Sequence, residues 1–248
     1  MTRKMRLIIG LFVLCAARAA SALTAQELVA KNIEAKGGAA ALEAVSALRR
    51  HGKVSVNGGQ FVLDVVEVKQ RPDSIRVEAS LQGLTQVQAY DGKEGWKIDP
   101  FGGRKDPERM PADDVKELVE DASIGGPLAD SAARGSTVEY LGTQDIDGTE
   151  AHKLKVTDKD GSLKYVYLDP DYFLEIRMES QRSVRGVKET TITEYGNYEK
   201  VGGVFWPLSI ESGKKGDSDP AKYEYEAAEV NPALPPGYFS FPVAAAPK

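Results

Sequence analysis

Arg71-Pro-Asp-Ser-Ile-Arg-Val-Glu-Ala-Ser-Leu81 is a turn followed by a strict alternation. Ile75, Val77, Ala79 and Leu81 are apolar, and Ser74, Arg76, Glu78 and Ser80 between them are polar. Successive side chains of an extended chain point to opposite faces, so this spacing reads as a strand with one face in a core and the other wet. The same period recurs outward from it. Phe61, Leu63 and Val65 alternate with more polar neighbours on one side, and Asp91-Gly92 turns the chain into Gly95-Trp96-Lys97-Ile98 on the other. Beyond residue 137, Asp147-Gly148 and Asp160-Gly161 read as hairpin turns between runs near 137–144, 150–158 and 162–169. Runs near 173–183, 187–198, 204–211 and 223–228 follow.

Two regions break this period. Thr24-Ala25-Gln26-Glu27 has the form of a capping box, and Ala25, Leu28, Val29 and Ile33 then share one helical face until Gly37-Gly38. A second short helix spans Ala40 to Val45. The stretch from Asp99 to Pro111, with Pro100, Gly102, Gly103 and Pro107, reads as a loop. Ala112 to Ala122 is an amphipathic helix with Val115, Leu118, Val119 and Ala122 on its dry side, ended by Gly125-Gly126-Pro127. The pattern is mainly β, with about ten or eleven strands at hairpin spacing. So wide an antiparallel sheet has to curl. Two or three helices are left to cover its apolar face, so the expected architecture is an unclosed antiparallel barrel with a helical lid over an apolar cavity.

The N-terminus carries a different message. Arg3, Lys4 and Arg6 precede the apolar run Leu7 to Ala17, and Ala20-Ser21-Ala22 offers small residues at the positions a signal peptidase reads. This is the order of a cleaved secretory signal. The expected organisation is a signal at 1–22, a single β domain at 23–242 and a mobile tail at 243–248. Cys15, the only cysteine, falls inside the signal behind Val13-Leu14, where a lipoprotein signal would carry small residues. The mature chain would have neither disulfide nor thiol chemistry.

Composition and motifs narrow the function classes. The 248 residues are 42% hydrophobic and 28% charged, with a net charge of −5. Those values are ordinary for a globular protein and argue against a broad nucleic-acid-binding face. Without the four basic residues of 1–22, 28 Lys and Arg face 37 Asp and Glu, a charge of −9. His51 and His152 lie far apart and read as strand surface residues, so no His/Cys metal site is expected. No nucleophile elbow and no phosphate-binding glycine loop occurs. Neither catalytic residues nor a cofactor are expected. Carboxylates are numerous, and an enzyme using a pair of them stays open as a lesser reading.

Several stretches together resemble the periplasmic outer-membrane lipoprotein-sorting (LolA-like) family, in its longer branch. They are Arg71 to Glu78, the segment Gln82-Gly-Leu-Thr-Gln-Val-Gln-Ala-Tyr-Asp-Gly-Lys-Glu-Gly-Trp96-Lys-Ile-Asp-Pro-Phe101, Asp106-Pro-Glu108, Gly126-Pro-Leu-Ala-Asp130, Phe239-Ser-Phe-Pro242 and the opening Ala35-Lys-Gly-Gly-Ala-Ala-Ala-Leu42. The resemblance implies a monomeric periplasmic carrier. It would shield lipoprotein acyl chains or another lipid between an inner-membrane release machinery and an outer-membrane acceptor. A sensor of mislocalised lipoproteins acting on a membrane regulator is the alternative. Compact carriers of the family latch the lid with an arginine, for which Arg49, Arg50 and Arg76 are candidates. The expected cavity-lining residues are Leu63, Val65, Ile75, Val77, Leu81, Trp96, Phe101, Leu118, Leu174, Ile176 and Trp206. The same apolar residues would equally serve plain core packing.

Overall fold

The computed structural model describes residues 23–184 and 187–242. The expected signal at 1–22, with Cys15, and the expected tail at 243–248 lie outside them. Helix α1 (Ala25–Ala35) opens as its sequence dictates. The Glu27 amide donates to Thr24 Oγ1 at 3.2 Å, and the Thr24 amide donates back to Glu27 Oε2 at 2.8 Å. Gly37 ends this region at φ +123°, where an added Cβ would lie 2.2 Å from the Gly203 carbonyl oxygen. Helix α2 (Ala39–Glu43) follows.

A single sheet of thirteen strands holds the rest: β1 (Ala47–Val56), β2 (Phe61–Gln70), β3 (Ser74–Leu81), β4 (Leu84–Tyr90), β5 (Gly95–Asp99), β6 (Arg104–Arg109), β7 (Thr137–Ile146), β8 (Thr149–Thr157), β9 (Leu163–Leu168), β10 (Glu175–Val184), β11 (Val187–Val201), β12 (Val204–Lys214) and β13 (Ala221–Val230). The order β6-β5-β4-β3-β2-β1-β13-β12-β11-β10-β9-β8-β7 is a meander closed at its middle by β1 against β13. Every pair is antiparallel, and β6 and β7 are free edges, so the sheet is unclosed. The Asp147-Gly148 turn has φ of +52° and +89°, the pairing of positive values that a tight hairpin needs. The segment read as a loop between Asp99 and Pro111 instead contains β6. Proline is tolerated there because an edge strand has amides that meet no partner, so Pro107 costs the ladder nothing.

Between β6 and β7 run three helices, α3 (Ala112–Asp121), α4 (Gly126–Ala129) and α5 (Ser131–Arg134). They lie on the inner face of the curl with α1 and α2. Leu28 packs with Leu128, Leu154, Val156, Val166 and Leu168. Leu42, Val45, Leu48, Ile124, Val204 and Trp206 form a second cluster, and Leu118 and Ala122 close on Ile75 in a third. The outer face has a core of its own near β4 and β5. Val87, Ala89 and Trp96 pack together there, and the segment after β13 crosses them, with Trp96 Nε1 donating to the Phe239 carbonyl at 2.8 Å.

A second glycine is fixed by close approach. Gly52 sits at a register shift in β1, where an added Cβ would fall 2.0 Å from the Glu224 carbonyl oxygen and 2.6 Å from Tyr225 Cα. Both are backbone atoms of β13 and cannot step aside. Gly196 in β11 would meet nothing nearer than 3.9 Å. Gly52→Ala is therefore expected to cost about 3 kcal/mol or more, the upper end for overpacking, while Gly196→Ala stays within about 1 kcal/mol. Urea denaturation of the two variants checks this. Equal midpoints would mean that the β1–β13 contact is looser than described.

Candidate functional site

A cavity of about 260 Å³ lies between the inner face of the curl and the helical segment. Its walls come from β1–β3 on one side and β9–β13 on the other, roofed by the chain from Asp121 to Pro127. Leu48, Val77, Ile124, Met178, Trp206 and Ile210 form apolar wall. The expected apolar cavity is apolar only in part, because Lys36, Arg50, Glu67, Lys69, Asp121 and Glu175 also face it. The reason is register. Glu67 has the same parity as Leu63 and Val65 on β2, and Arg50 stands directly across from it on β1. Both must point inward with the apolar residues.

These charges are tied together. Arg50 is 5% exposed and Glu67 9%. Arg50 Nη2 and Nε donate to Glu67 Oε1 at 2.6 and 3.1 Å, and Nη1 donates to the Pro207 carbonyl at 3.0 Å. Lys69 Nζ stands 3.6 Å from the same carboxylate oxygen, and the Arg50 guanidinium lies 4.1 Å from the centre of the Tyr225 ring. Burial works against the Glu67 carboxylate, but Arg50 and Lys69 outweigh it and hold its pKa below the ordinary value. Burial, reinforced by nearby carboxylates, pushes the Tyr195, Tyr198 and Tyr225 hydroxyls well above theirs, so they remain protonated.

A second buried pair joins the roof to the walls. Lys36 Nζ donates to Glu175 Oε1 at 2.5 Å and to the Gly125 carbonyl at 3.1 Å. Tyr198 Oη donates to the Glu175 carbonyl at 2.8 Å. Asp130 organises the roof itself, accepting from the Ser123 hydroxyl at 2.5 Å and the Gly125 amide at 3.1 Å while pairing with Arg71 at 3.4 Å. The three latch candidates have other partners. Arg49 binds Glu229, Arg50 binds Glu67 and Pro207, and Arg76 binds Glu78 and the Tyr238 carbonyl. Lys36 and Arg71 fasten the roof at the Gly125 carbonyl and at Asp130, and Ser180 to Glu120 and Arg134 to Asp73 tie the helices on either side of it.

Of the expected lining residues, Val77 and Trp206 line this cavity. Leu63 and Val65 belong to a cluster with Val54, Leu208 and Tyr225, and Leu81 packs at its margin. Ile75 and Leu118 are used up against each other beneath α3. Trp96 is on the outer face, because it pairs with Ala89 at the opposite parity to the inward Tyr90. Ile176 packs with Ile146, Ala151 and Tyr167 on the outer side, where a register shift at the start of β10 sends it. Leu174 is half-buried just before β10, and Phe101 is 44% exposed in the β5–β6 turn. His51 is exposed on β1, but His152 is half-buried, stacked 5.9 Å from Phe173 and hydrogen-bonded to Tyr140 Oη at 3.0 Å. No group of His, Cys, Asp and Glu among the described residues is arranged to hold a metal ion. None of the described helices is long and apolar enough to cross a membrane.

Solved structures share this architecture. A LolA superfamily protein from Nitrosomonas europaea superposes with a TM-score of 0.57 at 16% identity, over 88% of this chain and 98% of that one. The chain has a LolA-like fold. An outer membrane lipoprotein-sorting protein domain from Vibrio parahaemolyticus gives 0.59 at 11% identity, over 87% and 97%. A DUF1329 family protein from Desulfovibrio piger gives 0.57 at 13%, over the same two shares. No protein-family model matches the sequence, and no curated protein does. In the LolA-like frame the cavity lies inside the curl, under the helical segment.

The Glu67 carboxylate makes stability pH-dependent. Its folded pKa is below its unfolded one, so the unfolded chain binds the extra proton as pH falls. The contribution is fully present above the unfolded value, about 4.3, and is lost as pH drops through the folded value. Glu67→Gln leaves Arg50 buried without its partner charge and is expected to cost about 3–5 kcal/mol at pH 7. The gap to the unmodified protein should narrow steadily below about pH 4. Denaturation followed from pH 7 to pH 3 measures it, and a gap independent of pH would contradict the pairing.

Proposed function

We propose that the protein is a periplasmic carrier that binds a lipid, or the acyl chain of a lipoprotein, and moves it without covalent chemistry. The observation that carries this reading is a cavity held open inside a LolA-like curl, between the sheet and a helical cover. The N-terminal signal supports export across the inner membrane, with the mature chain starting at Leu23. The cavity, at about 260 Å³, is just below the roughly 300–1,000 Å³ usual for small-molecule sites. It suits part of one alkyl chain without rearrangement. Each buried methylene adds about 0.8 kcal/mol, so a long chain is held firmly and its release depends on moving the cover. A role in outer-membrane lipoprotein sorting, with an inner-membrane donor and an outer-membrane acceptor as partners, is the fuller form of the same proposal.

The two tryptophans separate binding in the cavity from binding elsewhere. Trp206 lines the cavity and Trp96 is buried on the outer face. A fluorescent fatty acid added to delipidated, folded protein is expected to bind at about one per chain and to quench Trp206. The Trp206→Phe variant should lose the quench and Trp96→Phe should keep it. Absence of binding, or a quench that follows Trp96, counts against the cavity as the site.

The Lys36 contacts make the cover testable. Lys36→Met removes the bond to the Gly125 carbonyl and strands Glu175, so stability should fall by about 3 kcal/mol and dye release should quicken several-fold. The double variant Lys36→Met/Glu175→Met removes the stranded charge. It is expected to recover most of the stability while keeping the fast release, because Gly125 is still unfastened. Stopped-flow release rates beside melting temperatures read both effects. Recovery of slow release in the double variant would show that the contact does not fasten the cover.

A further inference from the structure

The inner face of β9–β12 changes from apolar to polar along the strands, one inward position later on β9 and β10 than on β11 and β12. On β9, Val166 is followed toward the sheet end remote from α1 by Lys164, and on β10 Met178 by Ser180. On β11, Tyr195 gives way to Thr193 and Thr191, and on β12 Ile210 gives way to Ser212. The registers place these steps on neighbouring pairs: Met178 is opposite both Val166 and Thr193, Thr193 is opposite Ser212, and Ser180 is opposite both Lys164 and Thr191. The polar level lines a second recess of about 70 Å³, which shares Asp121, Ser123, Pro127, Met178, Thr193 and Ser212 with the main cavity. The two recesses adjoin across these residues, and the smaller one carries the Ser180, Thr191, Thr193 and Ser212 hydroxyls.

The charges of the recess decide what kind of head it suits. Arg134, Lys164 and Arg182 are balanced by Glu120, Asp121 and Asp158. Lys164 is paired with Asp158, Arg134 with Asp73 at 2.9 Å, and Glu120 accepts from the Ser180 hydroxyl at 3.0 Å. A phosphate or carboxylate would have to draw the buried Lys164 from Asp158, where a stranded charge is costly. A neutral head with several hydroxyls has no such requirement. Serine and threonine hydroxyls both donate and accept, and the Thr193 and Ser212 hydroxyls, 3.2 Å apart, can each turn toward a third hydroxyl.

We propose that the two adjoining recesses together take one amphiphile of glycosyl type. Its neutral, hydroxylated head sits against Ser180, Thr191, Thr193 and Ser212, and its alkyl chain enters the main cavity against Val77, Trp206 and Ile210. The proposal rests on the carrier reading and specifies its substrate class. Isothermal titration of the mature protein with decyl glucoside, decylphosphocholine and decanoate, each below its micelle concentration, tests it. Decyl glucoside is expected to bind about tenfold more tightly than the other two. Thr193→Val/Ser212→Ala should abolish that advantage while leaving decanoate within about twofold. A preference for either charged head, or an equal loss for all three probes in the double variant, overturns the headgroup assignment. Should the double variant not fold, the head preference of the unmodified protein and of Thr191→Val decides alone. Failure of all three probes to bind folded, delipidated protein overturns the carrier reading itself, an outcome distinct from a wrong choice of head.

Discussion

Arg50 and Glu67 face each other across β1 and β2, close to the middle of the sheet and inside its curl. Taking two charges out of water is costly, and their attraction offsets that cost only while the geometry holds. The pair therefore pins register. A slip of one residue between β1 and β2 would turn one strand's inward set outward and separate the charges. From this fixed centre each half of the meander is built by successive hairpins, β2 to β6 on one side and β13 to β7 on the other. The carbonyl of Pro207 and the ring of Tyr225, both in the half beyond β1, also hold Arg50. One side chain thus ties together the two wings whose inner faces form the cavity.

The polarity of that cavity bears directly on the carrier reading. A fully apolar tunnel would hold any alkyl chain and discriminate little, since methylenes differ only in number. Paired charges and protonated tyrosines in the wall set a fixed polar pattern within reach of the ligand. They cost desolvation that a purely packed core would avoid, and they limit how far an alkyl chain can intrude. The apolar stretch of wall at Val77, Trp206 and Ile210 is accordingly short. Phe61, Leu84 and Phe101 add apolar surface outside it, each 40% to 46% exposed.

The alternation at 74–81, the capping box at Thr24 and the hairpin turns were legible because each is a local rule, satisfied within a few residues. The amphipathic helix at 112–121 was legible for the same reason. The site was less so. Val77 follows from parity on its own strand, and Glu67 carries the same signal, visible in the step from Leu63 to Val65 to Glu67. Lys36 and Glu175, by contrast, are separated by 139 residues and meet only through the closure of the meander. Trp96 shows the opposite failure. Its size and hydrophobicity mark a core residue correctly, but nothing local says which side of the sheet that core occupies. The segment at Phe239–Phe241 provides a second, outer core that the inward-cavity picture did not include. Strand β6 was hidden by Pro107, whose meaning depends on lying at an edge.

The free edges at β6 and β7 have a mechanical consequence. In a closed barrel, strand number and stagger fix the cross-section, and widening it means breaking a ladder. Here the seam is spanned by α3, α4 and α5, which are both the roof of the cavity and the covalent link between the two edges. Opening the seam and shifting the roof are therefore one motion along one coordinate, and the sheet can flatten or tighten along it with every strand pair intact. A wider cavity then needs no broken ladder, only movement of this link against the hydrogen bonds from Lys36, Arg71, Arg134 and Ser180.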